Sequence, residues 1–262
     1  MFTAITRAVS PAFVNCELSF IERQPINLAI AEAQHRAYEK TLQNLGVQVI
    51  SLPAEPTLPD SMFVEDPALV LDELAVILPL GTASRRPEAA SLAAALAPFR
   101  ELVHITLPGT MEGGDILRIG RKLYAGLSGR TSEEGVRQLR ALVEPFDYEV
   151  IPVPVTGCLH LKSAVTSLGH NTLLANRAWF ATAPFAGFAW LDISPDEPHA
   201  ANALAITDQV IFPASFPKTR ERIESAGFTV VPIDISELQK AESGLTCSSL
   251  LFSDSRCVKA ST

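Results

Sequence analysis

The stretch Ala68-Leu69-Val70-Leu71-Asp72-Glu73-Leu74-Ala75-Val76-Ile77-Leu78 reads as two short apolar strands, 68–71 and 75–78, folded back across an acidic turn at Asp72-Glu73. The same sign recurs downstream. Strands at 116–119 and 122–125 bracket Gly120-Arg121, strands at 164–168 and 172–175 bracket Gly169-His170-Asn171, and strands at 203–207 and 210–212 bracket Asp208-Gln209. A helix and a closing strand follow most of these pairs. The first pair is followed by a helix over 87–97, with Pro87 suited to its first turn, and a strand over 102–107. After the second come a helix to Val143, with Thr131 and Glu134 as a capping-box signature, and a strand over 149–155. The third closes at 188–193; the fourth has a helix over 217–226, stopped by Gly227, and a strand over 228–233. The starts lie about 40 to 50 residues apart, the range in which a repeat architecture is expected.

The termini supply the rest of the pattern. A strand over 2–9 leads into a loop over 10–25 with two prolines and little periodicity, the kind of segment that serves as a lid. Asn27 is a fair N-cap for a long helix with Leu28, Ala31, Tyr38, Leu42 and Leu45 on one face and Gly46 as its stop; a strand over 47–52 and a proline-rich loop over 53–60 follow. If the strand after Cys247 pairs with the strand at Phe2, the two ends of the chain form a fifth unit. Two architectures fit: small sheets repeated radially about an axis, or one open α/β sheet. Periodicity alone does not choose between them.

The bulk properties narrow the class. A chain of 262 residues with 47% hydrophobic residues, mass 28.2 kDa and mean hydropathy +0.21 can bury a core without disulfides. A net charge of −8 and a pI near 5.2 argue against nucleic acid as the partner. Cys16, Cys158, Cys247 and Cys257 are scattered, with no zinc-type spacing. The first ten residues lack the apolar core of a secretory signal, and no apolar run is long enough for a membrane span. A reduced, soluble, cytoplasmic protein is expected, with 1–262 as a single domain.

Polar residues punctuate the repeats at matching places. Phe63-Val64-Glu65-Asp66 precedes the first strand pair and Glu112-Gly113-Gly114-Asp115 the second. His160, Asn202 and Cys247 precede the third, fourth and fifth. Each alone has a plain alternative: carboxylates and Gly-Gly-Asp are common in solvated turns, and a free cysteine is often a small core hydrophobe. Their shared register predicts a central site lined by Glu65, Asp66, Glu112, Asp115, His160, Asn202 and Cys247. A cysteine, a histidine and carboxylates brought together are the parts of a nucleophilic enzyme.

The segments Pro59-Asp60-Ser61-Met62-Phe63-Val64-Glu65-Asp66-Pro67, Glu112-Gly113-Gly114-Asp115, Leu159-His160-Leu161-Lys162 and Leu245-Thr246-Cys247-Ser248 resemble, in order, those of the dimethylarginine dimethylaminohydrolases. More widely they are similar to the guanidine-modifying penteins, which include arginine deiminase and agmatine deiminase. The resemblance implies a five-bladed α/β propeller of ββαβ repeats, in agreement with the split repeat. It also implies hydrolysis of Nω-methylated arginine to citrulline and a methylamine through a covalent thiouronium on Cys247. His160 would be the acid and base, and Glu112 and Asp66 would grip the guanidinium. Leu18, Asp60, Phe63, Glu65, Arg85 and Arg130 match positions that bind or support the substrate, with Arg85 and Arg130 toward the α-carboxylate, Arg86 a substitute for Arg85, and the Leu18 backbone near the α-amino group. No metal or organic cofactor is implied. The partner is a small molecule, with no nucleic acid and no membrane; a homodimer stays open. Another guanidine substrate, such as arginine or agmatine, and a catalytically silent cation-binding relative stay open as well. Where many relatives carry Asp-Gly a few residues before the nucleophile, this chain has Glu242-Ser243, and Cys158 is assigned to packing.

Overall fold

In chain order, the computed structural model, which describes residues 2–253, begins with β1 (Phe2–Arg7), α1 (Leu28–Asn44) and β2 (Gln48–Leu52). Next come β3 (Ala68–Val70), β4 (Leu74–Ile77), α2 (Glu88–Leu96) and β5 (Glu101–His104), then β6 (Ile116–Ile119), β7 (Lys122–Leu127), α3 (Glu133–Val143) and β8 (Glu149–Pro154). The short helix α4 (Leu161–Ala164) leads into β9 (Val165–Gly169), β10 (Thr172–Ala175) and β11 (Ala189–Asp192). Last are β12 (Leu204–Ile206), β13 (Gln209–Pro213), α5 (Pro217–Ser225), β14 (Thr229–Ile233), α6 (Ser236–Gln239) and β15 (Leu250–Ser253).

The strands form five separate three-stranded sheets rather than one open sheet. Each has the same plan: an antiparallel pair, then a parallel third strand. In the second sheet Ala68 opposes Ile77, and Leu74 runs beside Glu101. The sheet β15-β1-β2 repeats this plan with its members taken from both termini, Phe2 opposing Ser253 and Thr3 running beside Gln48. The first strands of neighbouring units also meet: β15 touches β3, β6 touches β9, and β9 touches β12.

Local chemistry explains most element ends. The Asn27 side chain accepts the Ile30 amide and starts α1; Gly46, at φ +80°, ends it. Helix α3 differs from expectation. Its cap is Ser132, which accepts the Gly135 amide, while the Thr131 hydroxyl is drawn away to Asp115. Pro87 sits at the N-cap of α2 rather than at its first turn. The third unit replaces its helix with a single turn at Ala183–Phe185.

Apolar faces close the units. Leu92 and Leu96 of α2 pack on Val70, Ala75 and Ile77, sharing their cluster with Leu250 and Phe252 from the far end of the chain. Full burial of a leucine stabilises by roughly 2 kcal/mol, and truncating one to alanine costs about 3 kcal/mol once the cavity is counted. Tyr38 of α1 is buried, and its hydroxyl lies 2.7 Å from Ser249 Oγ, tying the helix to the segment that carries Cys247. No helix among the described residues is long and apolar enough to cross a membrane.

Candidate active site

Cys247 lies in a tight turn at Thr246–Ser248, just before β15. Asn202 holds that turn. Its Oδ1 accepts the Leu245 and Thr246 amides at 2.7 and 3.1 Å, and its Nδ2 donates to Lys162 O and Thr246 Oγ1 at 2.9 and 3.1 Å. Gly244 permits the approach: a Cβ there would fall 2.4 Å from Asn202 Cγ, closer than any side chain tolerates. Asn202 therefore positions the cysteine turn from behind instead of lining the cavity in front of it.

His160 arrives at the N-cap of α4 and is buried. Leu161 N donates to Asp115 Oδ1 at 2.9 Å, and Cys158 Sγ lies 3.3 Å from the His160 carbonyl oxygen. Asp115 also accepts the Ser128 and Thr131 hydroxyls at 2.6 and 2.7 Å, so it is a buried anchor and not the lining group expected from its register. Gly114 gives the ring its room, because a Cβ at that position would sit 2.5 Å from His160 Nδ1.

His160 Nε2 and Glu112 Oε2 are 2.7 Å apart, and Glu112 is fully buried. Burial opposes both charges, but the partners prevail. The negative charge of Asp66 and the hydrogen bond to Glu112 push the His160 imidazole up to about 9. The same hydrogen bond and the charge of His160, backed by Arg85 and Arg130, hold the Glu112 carboxyl well below the usual carboxylate range. The pair is an imidazolium facing a carboxylate at neutral pH.

Cys247 and His160 share one cavity with Asp60, Phe63, Asp66, Arg85 and Arg130. Burial, then the charges of Asp66 and Glu65, push the Cys247 thiol up to about 12. At neutral pH the cavity therefore holds Cys247 as the thiol. Asp66 accepts Arg85 Nη1 at 3.0 Å and the Gly114 amide at 3.3 Å. Arg85 is further committed than its sequence context implies: Nε and Nη2 grip Glu88 at 3.0 and 2.9 Å, and its guanidinium lies over the Phe63 ring at 5.9 Å. Burial, opposed by Arg85, raises Glu88 to about 7. Arg86 does not replace it, since its Nε donates to the Leu80 carbonyl.

Arg130 reaches Glu112 Oε1 at 3.5 Å, the Thr82 hydroxyl, and Ser19 Oγ at 2.9 Å. Leu18 packs on the apolar cluster that also holds Phe13, Phe63 and Cys247. Asp60 accepts the Glu17 amide at 3.1 Å. Glu65 departs from the group. It is paired with Lys162, accepts Thr246 Oγ1 at 2.8 Å, and lines a second cavity of about 460 Å³. Sequence reasoning missed Glu88 and the reach of Glu242; the only local sign was the three-residue spacing of Arg85 and Glu88.

Asp66, Glu112 and His160 bring one ligand-type atom each within 4.8 Å of one another, a spacing open to a metal ion. Arg85 and the His160–Glu112 contact already occupy these groups, so the acceptors are arranged around cations. Cys158 is buried, and burial pushes its thiol up to about 12, in keeping with packing. Cys257 lies outside the described residues.

Residues 15–177 match the family described as N,N dimethylarginine dimethylhydrolase, eukaryotic. The chain is 38% identical to the N(G),N(G)-dimethylarginine dimethylaminohydrolase of Pseudomonas aeruginosa, over 86% of this chain and 89% of that one. It is 36% identical to the protein of the same name from Streptomyces coelicolor, over 94% and 95%. A solved structure of the Pseudomonas aeruginosa protein, a cysteine-to-serine mutant complexed with citrulline, superposes with a TM-score of 0.91 at 35% identity, covering 95% of this chain and 98% of that one. With the fold, the cysteine cavity and these likenesses in agreement, the chain belongs to the dimethylarginine dimethylaminohydrolase family.

Proposed function

We propose that this protein hydrolyses Nω-methylated arginine, asymmetric dimethylarginine or monomethylarginine, to citrulline and a methylamine. The observation that carries the reading is one cavity lined by Cys247, His160 and Asp66, with Glu112 buried behind it against His160, in a chain of this family. A guanidinium carbon is a poor electrophile, so a thiolate held in line is required. The substrate supplies the cation that Cys247 lacks: a guanidinium against Asp66 offsets the negative charges that keep the thiol protonated. The thiol gives up its proton to solvent as the guanidinium binds, and the thiolate sulfur then bonds to the guanidinium carbon. His160, protonated beforehand, gives its proton to the departing amine as the carbon–nitrogen bond breaks. The neutral imidazole takes a proton from water, whose oxygen attacks the thiouronium; citrulline leaves and the thiolate is regenerated. Glu112 keeps the ring oriented and stabilises its charged form.

The repeated sheet plan, the sheet shared by both termini and the contacts between first strands support closure into a five-bladed α/β propeller, with 1–262 as one catalytic domain. Cys247, His160, Glu112 and Asp66 carry the chemistry in this reading. Leu18, Asp60, Phe63 and Arg130 bind or shape the substrate, while Arg85 holds Asp66 and Glu65 supports the turn through Thr246. A second reading is another guanidine, arginine or agmatine; one observation favours the carboxylate-free agmatine: Arg85 is already engaged by Glu88 and Asp66, which leaves less for a carboxylate.

The test is citrulline release from asymmetric dimethylarginine, monomethylarginine and arginine, alongside amine or ammonia release from agmatine, with Cys247→Ser as control. Product from the methylated substrates that disappears in the variant supports the proposal. Turnover of arginine or agmatine alone replaces it with the second reading, and full activity in Cys247→Ser overturns the nucleophile.

A further inference from the structure

The loop over 10–25 borders the reaction cavity at Glu17 and is held by two carboxylates. At one point Asp60 takes the Glu17 amide, and the Glu17 carboxylate accepts the Ser84 hydroxyl at 2.6 Å. At the other, the Glu242 carboxylate gathers three consecutive amides: Ser19 N at 3.0 and 3.1 Å, Phe20 N, and Ile21 N at 2.8 Å. Leu18 lies between the two clamps. Glu242 comes from the segment that leads to Cys247, with its backbone at φ +58°, and it lines the reaction cavity. It also lines an adjoining cavity of about 260 Å³, bordered by Phe20, Ile21 and Leu159.

We infer that Glu242 is a positioning residue: by holding the Ser19 amide it orients the Leu18 carbonyl, and so sets the site for the substrate's α-ammonium group. The peptide plane supplies the reason. Leu18 C=O and Ser19 N–H belong to one trans peptide, in which the two bonds point in opposite directions. A carboxylate fixed on that N–H therefore turns the carbonyl away from Glu242 and makes it available as an acceptor. Three amides converging on one anion form a concave nest, and charge-assisted bonds of this kind are about twice as strong as neutral ones. Ser19 has a second restraint, its hydroxyl accepting from Arg130. The longer glutamate arm spans from the cysteine segment to the loop.

The kinetic arm of the test rests on the proposed reaction; the exchange arm does not. Glu242→Ala, Glu242→Gln and Glu242→Asp are compared for KM and kcat on asymmetric dimethylarginine and on its analogue lacking the α-amino group. Hydrogen exchange at the Ser19, Phe20 and Ile21 amides is followed in parallel. Glu242→Ala is expected to raise KM for dimethylarginine about tenfold with kcat within about threefold, to leave the deamino analogue nearly unaffected, and to lose protection at the three amides. Glu242→Asp is expected to recover part of each effect. Equal losses on both substrates, a fall in kcat at constant KM, or unchanged exchange at the three amides would each overturn the inference. If the wild-type protein turns over neither substrate, the proposed reaction fails and exchange alone decides: lost protection supports the clamp, and unchanged protection removes it.

Discussion

Glu65 and Asp66 are adjacent in the chain and face different cavities. Asp66 opens on the side of Cys247 and His160, where its charge raises both the thiol and the imidazole. Glu65 opens on the other side, where Lys162 and Thr246 satisfy it. One carboxylate is left available to an incoming cation, though Arg85 touches it; the other is consumed by a lysine of the protein itself. In the proposed reading the same residue chemistry gives a binding group on one side and a structural tie on the other, and the difference lies in which cavity each carboxylate opens on.

The sharpest test of that contrast is kinetic. Asp66→Asn should lower kcat/KM for methylated arginine about a thousandfold, since a desolvated cation loses its charged partner, whereas Glu65→Gln should cost about tenfold or less. Equal losses would erase the distinction between the two cavities. Stability should show the reverse order. Lys162→Met leaves Glu65 unpaired in a site where burial already raises its pKa, and should destabilise by about 3 kcal/mol in urea melts. Adding Glu65→Gln to Lys162→Met should restore most of that loss. A double variant no better than the single one would mean that Glu65 is not held as a tie.

The smallest expected effect is a pH dependence. His160 has its folded-state pKa raised from 6.5 to about 9, so the stability it contributes is complete below pH 6.5 and is lost as the pH rises through about 9. Glu112 is shifted the other way, and its contribution is lost only in acid, as pH falls through its depressed pKa. The stability gap between wild type and His160→Gln should therefore shrink by about 2 kcal/mol from about pH 7.5 to about pH 10. A gap that widens with pH would mean the ring is neutral in the fold.

Much of the architecture was legible because it is written in short-range patterns. Apolar runs on either side of Asp72-Glu73 or Gly120-Arg121 need only neighbouring residues to be read, and β3-β4 and β6-β7 formed there. Asn27 and Gly46 bounded α1 for the same reason. Thr131 was misread because its hydroxyl had two candidate partners. The local one, an amide one turn on, lost to Asp115, which is buried and needs several donors. Arg85 shows a related limit: its match to a carboxylate-binding position carries no sign that Glu88 already holds it on two sides.

The sequence by itself determined the repeated strand pairs, the fifth unit divided between the termini, and the set of chemistry-bearing residues before each first strand. These depend on side-chain periodicity and turn chemistry, which act over a few residues. Only the tertiary structure decided which polar group faces which. It turned Glu65 and Asp66 to opposite cavities, placed Asp115 and Asn202 behind His160 and Cys247, and brought Glu242 onto the loop that carries Leu18. Hydrogen bonds and ion pairs act over about 3 Å between residues distant in sequence, so their partners are selected by packing and not by the local pattern.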